Sequence, residues 1–388
     1  MLALRSLLAS PTNRSEKREA PDLLYMLLVL GMLIFGAAMS FSASSVYGEQ
    51  FYGDSMYFFK RYVLFALLAV VASAPFVLMA RPAFWRVFGV FLYGCSIFLL
   101  VLVLLIGTVG GGAQRWLVLG PITVQPSEMA KPALVLMLAL VLSRHEKQIV
   151  STKKRGGSIK YGVLLPGALI ALICLLVAAE KHISGLLIIA MLGVAMMFLG
   201  GTRLRYLGVM AAAVAVAGCL LIFVSSYAQV RVNTWLHIEK VDPLGSAWQT
   251  LQGLYAIGSG GFFGLGFGRG RQKHGYVSQP QNDFIFTVIC EELGFIGAFS
   301  VILLFLLLVV RGFRIASHAP DRFSSLVVYG ISVKLALQAI LNIAVVTNSM
   351  PNTGVSLPFF SSGGTFLAMQ IFEMGIVLAI SRYSTQKR

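Results

Sequence analysis

Gln279-Pro-Gln-Asn-Asp283-Phe-Ile-Phe-Thr-Val-Ile-Cys-Glu291-Glu292-Leu293 opens the apolar run 284–311 and places three carboxylates where that run meets a polar segment. A run of this length crosses a bilayer as a helix, which takes about 20 residues. The whole chain has only 15 Asp and Glu in 388 residues, so three together at one boundary need a reason. A carboxylate near hydrocarbon is costly unless it is paired, hydrated or used in chemistry. The reading assigns chemistry to Asp283 and scaffolding to the other two. Glu291 and Glu292 are adjacent and point about 100° apart on a helix, so they are not expected to face one site. One is expected to position the first turn of the helix, and the other to meet the preceding loop.

Working outward, runs of the same kind recur at 22–44, 61–80, 84–107, 127–143, 161–179, 184–200, 206–226, 326–347 and 364–382. The chain is 57% hydrophobic and 12% charged, with mean hydropathy +0.83. Soluble domains carry about 25% charged residues. The expected fold class is therefore an all-α integral membrane protein with about ten transmembrane helices. A large, partly re-entrant extracytoplasmic loop, 227–283, is expected between helices 7 and 8. Residues 22–382 read as one polytopic domain, flanked by cytoplasmic tails at 1–21 and 383–388. No small-residue cleavage signal follows the first run, so it reads as a retained span.

The +16 net charge does not point to nucleic acid. Lys and Arg concentrate in alternate loops, most densely at Arg144, Lys147, Lys153, Lys154, Arg155 and Lys160. The positive-inside rule then puts both termini in the cytoplasm. A nucleic-acid face would gather its cations on one strip with stacking aromatics. Cys95, Cys174, Cys219 and Cys290 lie far apart within spans, with no CxxC, and read as small apolar fillers.

Three segments on the expected outer face carry polar information. Loops beyond about 15 residues are usually functional or disordered, which singles out 227–283. Its aromatics Trp235, Trp248, Tyr255, Phe262, Phe263 and Phe267 suit a loop that folds back onto the membrane. Within it, Gly258-Ser-Gly-Gly-Phe-Phe-Gly-Leu-Gly-Phe-Gly-Arg-Gly270 is followed by Arg271 and Lys273. Glycines let backbone N–H groups approach a ligand, and Arg269, Arg271 and Lys273 can hold a phosphate. A flexible hairpin with solvated charges accounts for the same residues, and no nucleotide motif is present.

In the second segment, Arg115-Trp116 precedes Gln125-Pro126-Ser127-Glu128-Met-Ala-Lys131, which reads as a helix start. Glu128 and Lys131 share a helix face, either as a structural clip or as the floor of a polar cavity. The third segment, Asn348 to Gly364, is rich in Gly, Pro and hydroxyls. Such backbone at membrane depth lines a cavity or is buried in protein, and Ser361 and Ser362 are its substrate-binding candidates. Lys334 and Glu373 lie inside spans, and the sequence leaves open whether they pair.

Together these stretches resemble the SEDS family (shape, elongation, division and sporulation), the FtsW, RodA and SpoVE proteins, over nearly the whole chain. The resemblance rests on Arg115-Trp116 with Gln125-Pro-Ser-Glu128 and Lys131. It rests also on Ala256-Ile-Gly-Ser-Gly-Gly261 through Asn282-Asp283-Phe-Ile-Phe286 and Glu291-Glu-Leu-Gly294, then Pro351 to Gly354 and Leu357-Pro-Phe-Phe-Ser361 to Gly364. It implies a ten-helix enzyme that polymerises lipid II into β-1,4 glycan strands at the outer face of the cytoplasmic membrane. It further implies Asp283 as the essential acid and a class B penicillin-binding protein, a transpeptidase, as partner. Two departures stand out. His182 occupies a position where many members carry Asp, and Gln279 and Gln281 stand where many carry Glu and His.

The implied reaction is a single inverting displacement, from an α-linked donor to a β-linked product. It needs a base for the attacking hydroxyl and charge stabilisation on the leaving diphosphate. Asp283 is the expected base; Arg115, Lys131, Arg269, Arg271 and Lys273 are the diphosphate candidates. A divalent cation, magnesium or manganese, is compatible with this chemistry, but no ligand cluster specifies one. Two rivals are a lipid II flippase without chemistry and a scaffold that recruits the transpeptidase. The first suits broken helices and a polar cavity, but the acid cluster and the large loop lie on one face only. The second requires neither a buried ion pair nor a charged loop.

Overall fold

A computed structural model of the chain describes residues 19–110, 113–120, 122–150, 159–224, 226–240, 242, 245 and 247–383. The expected tails fall largely on 1–18 and 384–388, outside the described residues, as do Lys153, Lys154 and Arg155 of the densest basic loop.

Ten apolar helices line up with the ten expected spans. They are α1 (Leu23–Tyr52), α2 (Tyr57–Met79), α3 (Pro82–Ile106), α4 (Pro126–Arg144) and α5 (Lys160–Ala179). Then come α6 (Ile183–Leu199), α7 (Leu204–Val224), α10 (Ile285–Ser317), α11 (Arg322–Val346) and α12 (Gly364–Ser381). Between α7 and α10 lie α8 (Ser226–Leu236) and α9 (Trp248–Ser259). Among the described residues, eight of the ten are long and apolar enough to cross a membrane; α6 and the Leu204–Leu220 stretch of α7 are shorter apolar helices.

Local chemistry explains the boundaries. The Asp22 carboxylate accepts from Tyr25 N at 2.9 Å, and Asp321 accepts from Ser324 N at 2.7 Å, capping α1 and α11. Pro82 and Pro126 stand at the first turns of α3 and α4, where a missing N–H costs nothing. Gly53 ends α1 in the left-handed region at φ 66, so α1 runs past its expected end at 44.

At the centre stands α4, whose apolar window is 83% buried, against 17% for the peripheral α2. Around α4 pack α3, α5, α6, α11 and α12, and α12 also lies along α2. Small residues allow close approach: a Cβ on Gly330 of α11 would lie 2.6 Å from Val135 of α4. Ion pairs tie the helix ends on the face away from the 226–284 loop, Asp22 with Arg311 at 2.6 Å and Arg86 with Asp321.

The segment 108–126, read in sequence only as a polar stretch before a helix start, has secondary structure of its own. It forms an antiparallel sheet of β1 (Thr108–Gly110), β2 (Ala113–Leu119) and β3 (Ile122–Val124) in order β1-β2-β3. Thr108 stands opposite Trp116 and Leu117 opposite Val124. The alternating β-branched and apolar residues suit strands. The sheet packs against α3, α4 and α12 and presents Arg115 at the head of α4.

Candidate functional site

Asp283 sits in the turn that leads into α10, and three elements hold that turn. From α11, Asn342 Nδ2 donates to the Asp283 carbonyl at 2.8 Å and to the Val355 carbonyl at 2.6 Å. From the 357–363 segment, Ser361 Oγ donates to Asn282 O at 2.7 Å, and Ser362 N and Oγ both reach Gln281 O. Ser361 and Ser362 therefore brace the backbone that carries Asp283. Gly354 completes the wall: at φ 68 it adopts a left-handed conformation, and a Cβ there would stand 3.2 Å from Asp283 Oδ2. Burial pushes the Asp283 carboxyl above its ordinary value, while a backbone hydrogen bond and the charge of Arg231 pull the other way.

Beyond Gly354 lies a narrow cleft of about 30 Å³, lined among others by Gln125, Glu128, Lys131, His182, Gln338 and Val355. Lys131 Nζ donates to both Glu128 oxygens at 2.7 and 2.8 Å, with both side chains buried. The clip and the cavity floor, alternatives in sequence, are thus the same pair. His182 Nδ1 lies 3.1 Å from Ser127 Oγ. Burial, followed by Arg115 and Lys131, holds the imidazole at about 3, so it is neutral near pH 7. Arg115 Nη2 donates to Lys181 O at 2.9 Å beside it.

The glycine-rich loop performs a task that the sequence did not suggest. Helix α10 is broken at Gly294, whose φ 64 and ψ −159 are non-helical. The loop splices into the break: Leu265 N and Gly266 N donate to the Glu291 and Glu292 carbonyls, at 2.9 and 3.0 Å. Phe295 N and Ile296 N donate in turn to the Gly261 and Phe262 carbonyls. Every backbone group freed by a break inside a membrane helix needs such a partner.

The side chains of Glu291 and Glu292 face the same loop, against the expectation that they would diverge. Glu291 accepts from Arg271 N at 2.7 Å and Gln272 N at 3.2 Å; Glu292 accepts from Gly268 N at 2.9 Å and Gly270 N at 3.2 Å. Gly270 lies between them, a Cβ there standing 2.9 Å from an oxygen of each. A curved loop can meet two directions 100° apart, which a single flat site cannot. These N–H groups are therefore taken by carboxylates of the chain itself. Lys273 is buried and bonds Glu292 at 2.7 Å and Ser42 Oγ at 3.1 Å, which commits it to the loop anchor rather than to a ligand. Arg269 and Arg271 are exposed on the loop's rim.

Sequence reasoning missed Glu180 and Arg231, and it left open the pairing of Lys334 with Glu373. Glu180, at the end of α5, is 1% exposed, with neither oxygen hydrogen-bonded. Burial drives its carboxyl up to about 8 against the pull of Arg115. Lys334 pairs with both Glu373 oxygens at 2.9 and 2.8 Å and with Gln370 Oε1 at 3.0 Å, deep between α11 and α12. Arg231 acts on Asp283 from α8 although it lies far from every motif. Among the described residues, no group of three His, Cys, Asp or Glu stands together as metal ligands.

A family model described as "Cell cycle protein", covering FtsW, RodA and SpoVE, matches residues 22–386. Stage V sporulation protein E of Bacillus subtilis is 38% identical over 373 residues, 95% of this chain and 99% of that protein. "Probable peptidoglycan glycosyltransferase FtsW" of Trichlorobacter lovleyi is 38% identical over 366 residues, 93% of each. The crystal structure of Thermus thermophilus rod shape determining protein RodA matches with TM-score 0.69 at 26% identity, over 95% of this chain and 99% of that one. A chain of a structure described as the structural coordination of polymerization and crosslinking by a peptidoglycan synthase complex matches with TM-score 0.75 at 28% identity. That match covers 95% of this chain and 99% of the other.

Proposed function

Because this chain belongs to the FtsW/RodA/SpoVE family of cell cycle proteins, we propose that it is a peptidoglycan glycosyltransferase that polymerises lipid II, with Asp283 as general base. The loop-bearing face is then the outer face of the cytoplasmic membrane, and both termini are cytoplasmic. The observation that carries the reading is the separation of a desolvated carboxylate from a polar cleft holding an ion pair by a single glycine, Gly354.

The chemistry follows from that juxtaposition. Asp283 removes the proton of the acceptor 4-hydroxyl as its oxygen bonds to the donor's anomeric carbon. The bond from that carbon to the diphosphate breaks, and undecaprenyl diphosphate leaves with the electron pair. A desolvated carboxylate is a stronger base than an exposed one, which favours the first event. For the second, the Glu128–Lys131 pair is neutral as a unit, so the net positive charge near the cleft comes from Arg115. A diphosphate approaching Lys131 competes with Glu128 for the ammonium and adds charge-assisted hydrogen bonds. Arg269 and Arg271 are placed at the rim, where a headgroup enters. The partner we infer is a class B penicillin-binding protein. The similarity to a chain of a peptidoglycan synthase complex supports it.

The test uses the purified chain with fluorescent lipid II, with and without a cognate transpeptidase. Glycan ladders from wild type and none from Asp283→Asn are expected. Ladders of equal intensity from both would remove Asp283 from the chemistry. Lipid II crossing liposome membranes with no ladder from either would replace the polymerase with a flippase.

A further inference from the structure

A second cavity opens on the same face, between α8, α9 and the 348–352 turn. It is a groove of about 230 Å³, lined by Val230, Arg231, Thr234, Trp235, Gln249, Thr250, Asn348 and Asn352. It shares no lining residue with the cleft at Lys131. One segment joins the two: Asn352 lines the groove, and Gly354 to Ser356 line the cleft. Asp283 meets that segment at Gly354 and feels the charge of Arg231 from the groove side.

The lining is chemically specific. It holds one guanidinium, one indole, three side-chain amides and two hydroxyls, with no carboxylate. A diphosphate site gathers cations, and a lipid-tail site is apolar. Amides and hydroxyls both donate and accept, which matches sugar hydroxyls and N-acetyl groups. The indole adds a flat apolar face with a polar edge. The groove is also braced in shape. Trp235 Nε1 donates to Asn348 O at 2.9 Å, fixing the ring. Arg231 donates to the Asn352 carbonyl, and Gln249 Nε2 to Ser278 O at 3.2 Å, in the chain that leads to Asp283.

We propose that this groove is a saccharide subsite that holds the N-acetylated sugars of the acceptor, with Trp235 as stacking platform. The donor's diphosphate then lies in the Lys131 cleft, on the other side of the 352–356 segment. A polymerase must hold two substrates at once with the base between them, and the two cavities meet that requirement. The inference rests on the polymerase reading but is tested apart from it.

The probe is a lipid-free peptidoglycan tetrasaccharide, added to the full-length chain in detergent and read by saturation-transfer NMR. Wild type and Asp283→Asn are expected to bind it saturably with similar affinity. Trp235→Ala and Gln249→Ala are expected to weaken binding about tenfold, which is about 1.4 kcal/mol. Trp235→Phe keeps an aromatic face, guards against misfolding, and is expected to stay within about threefold of wild type. Failure of wild type to bind, or equal binding by wild type, Trp235→Ala and Gln249→Ala, would each overturn the subsite. Binding by wild type without glycan ladders would leave the subsite standing and overturn the polymerase. Ladders without tetrasaccharide binding would do the reverse.

Discussion

At the scale of single residues, two carboxyls of the same face, Asp283 half-buried and Glu180 buried, set opposite demands on pH. Asp283 acts as a base only when ionised, and burial raises its pKa above the ordinary value. The acid limb of kcat/KM is therefore expected above about pH 4, where an exposed aspartate would place it. A polymerisation profile that is flat down to pH 4 would contradict this. Glu180 has no hydrogen-bond partner, and its pKa stands at about 8 in the fold. Below the unfolded value, about 4.3, it is neutral in both states and has no effect. Between there and about 8 the unfolded chain ionises it and the folded chain does not, so rising pH erodes stability across that window. Glu180→Gln is expected to raise Tm on the order of 2–4 °C more at pH 8.5 than at pH 5, measured by thermal unfolding of the detergent-solubilised protein. An equal gain at both values would show that the carboxyl already ionises in the fold. Asp283 was legible in sequence because an acid at a hydrophobic boundary is rare in this chain. Glu180 was not, because an acid next to Lys181 looks solvated until its burial is seen.

At the scale of elements, hydropathy made the helices readable almost to their ends, since a span's length is set by the bilayer rather than by local propensity. The β1–β3 sheet escaped because its strands are short and two are of three residues. The splice at Gly294 escaped for a different reason: its hydrogen bonds join residues that lie far apart in sequence and leave no periodic signal. It is also where the glycine-rich loop's composition is explained. Gly294 adopts φ 64 and ψ −159, a region essentially closed to other residues, and a Cβ there would stand 2.3 Å from Gly264 N. Gly294→Ala therefore meets about 1–3 kcal/mol of backbone strain before any steric clash. The loop 258–275 is expected to detach from α10 and to become cleavable by limited proteolysis at least about tenfold faster than in wild type. An unchanged cleavage rate would mean that the loop is held by Glu291, Glu292 and Lys273 alone.

At the scale of the whole molecule, besides the Lys273–Glu292 loop anchor, two buried ion pairs lie among the described helices, Glu128–Lys131 on α4 and Lys334–Glu373 between α11 and α12. The second pair lines neither the cleft nor the groove. Its charges are nonetheless felt at Glu128 and Lys131, so the two pairs form one electrostatic unit at the bundle's centre. Burying two charges gains little net stability over apolar residues of similar shape, whereas removing one partner leaves the other uncompensated, at about 3–5 kcal/mol. Lys334→Met and Glu373→Met are each expected to destabilise the fold by that amount. The double variant is expected to recover more than half of the summed loss, because no charge is left unpaired and only the neutral Gln370 amide loses a partner. Chemical unfolding in mixed micelles measures this cycle, and additive losses would show that the pair is not coupled. Glycan ladders from the same double variant separate packing from function. Retained polymerisation assigns the deep pair to holding α11 against α12. Loss of polymerisation in a stably folded double variant shows that the charge on Lys334 sets the field in which Lys131 and Glu128 meet the substrate.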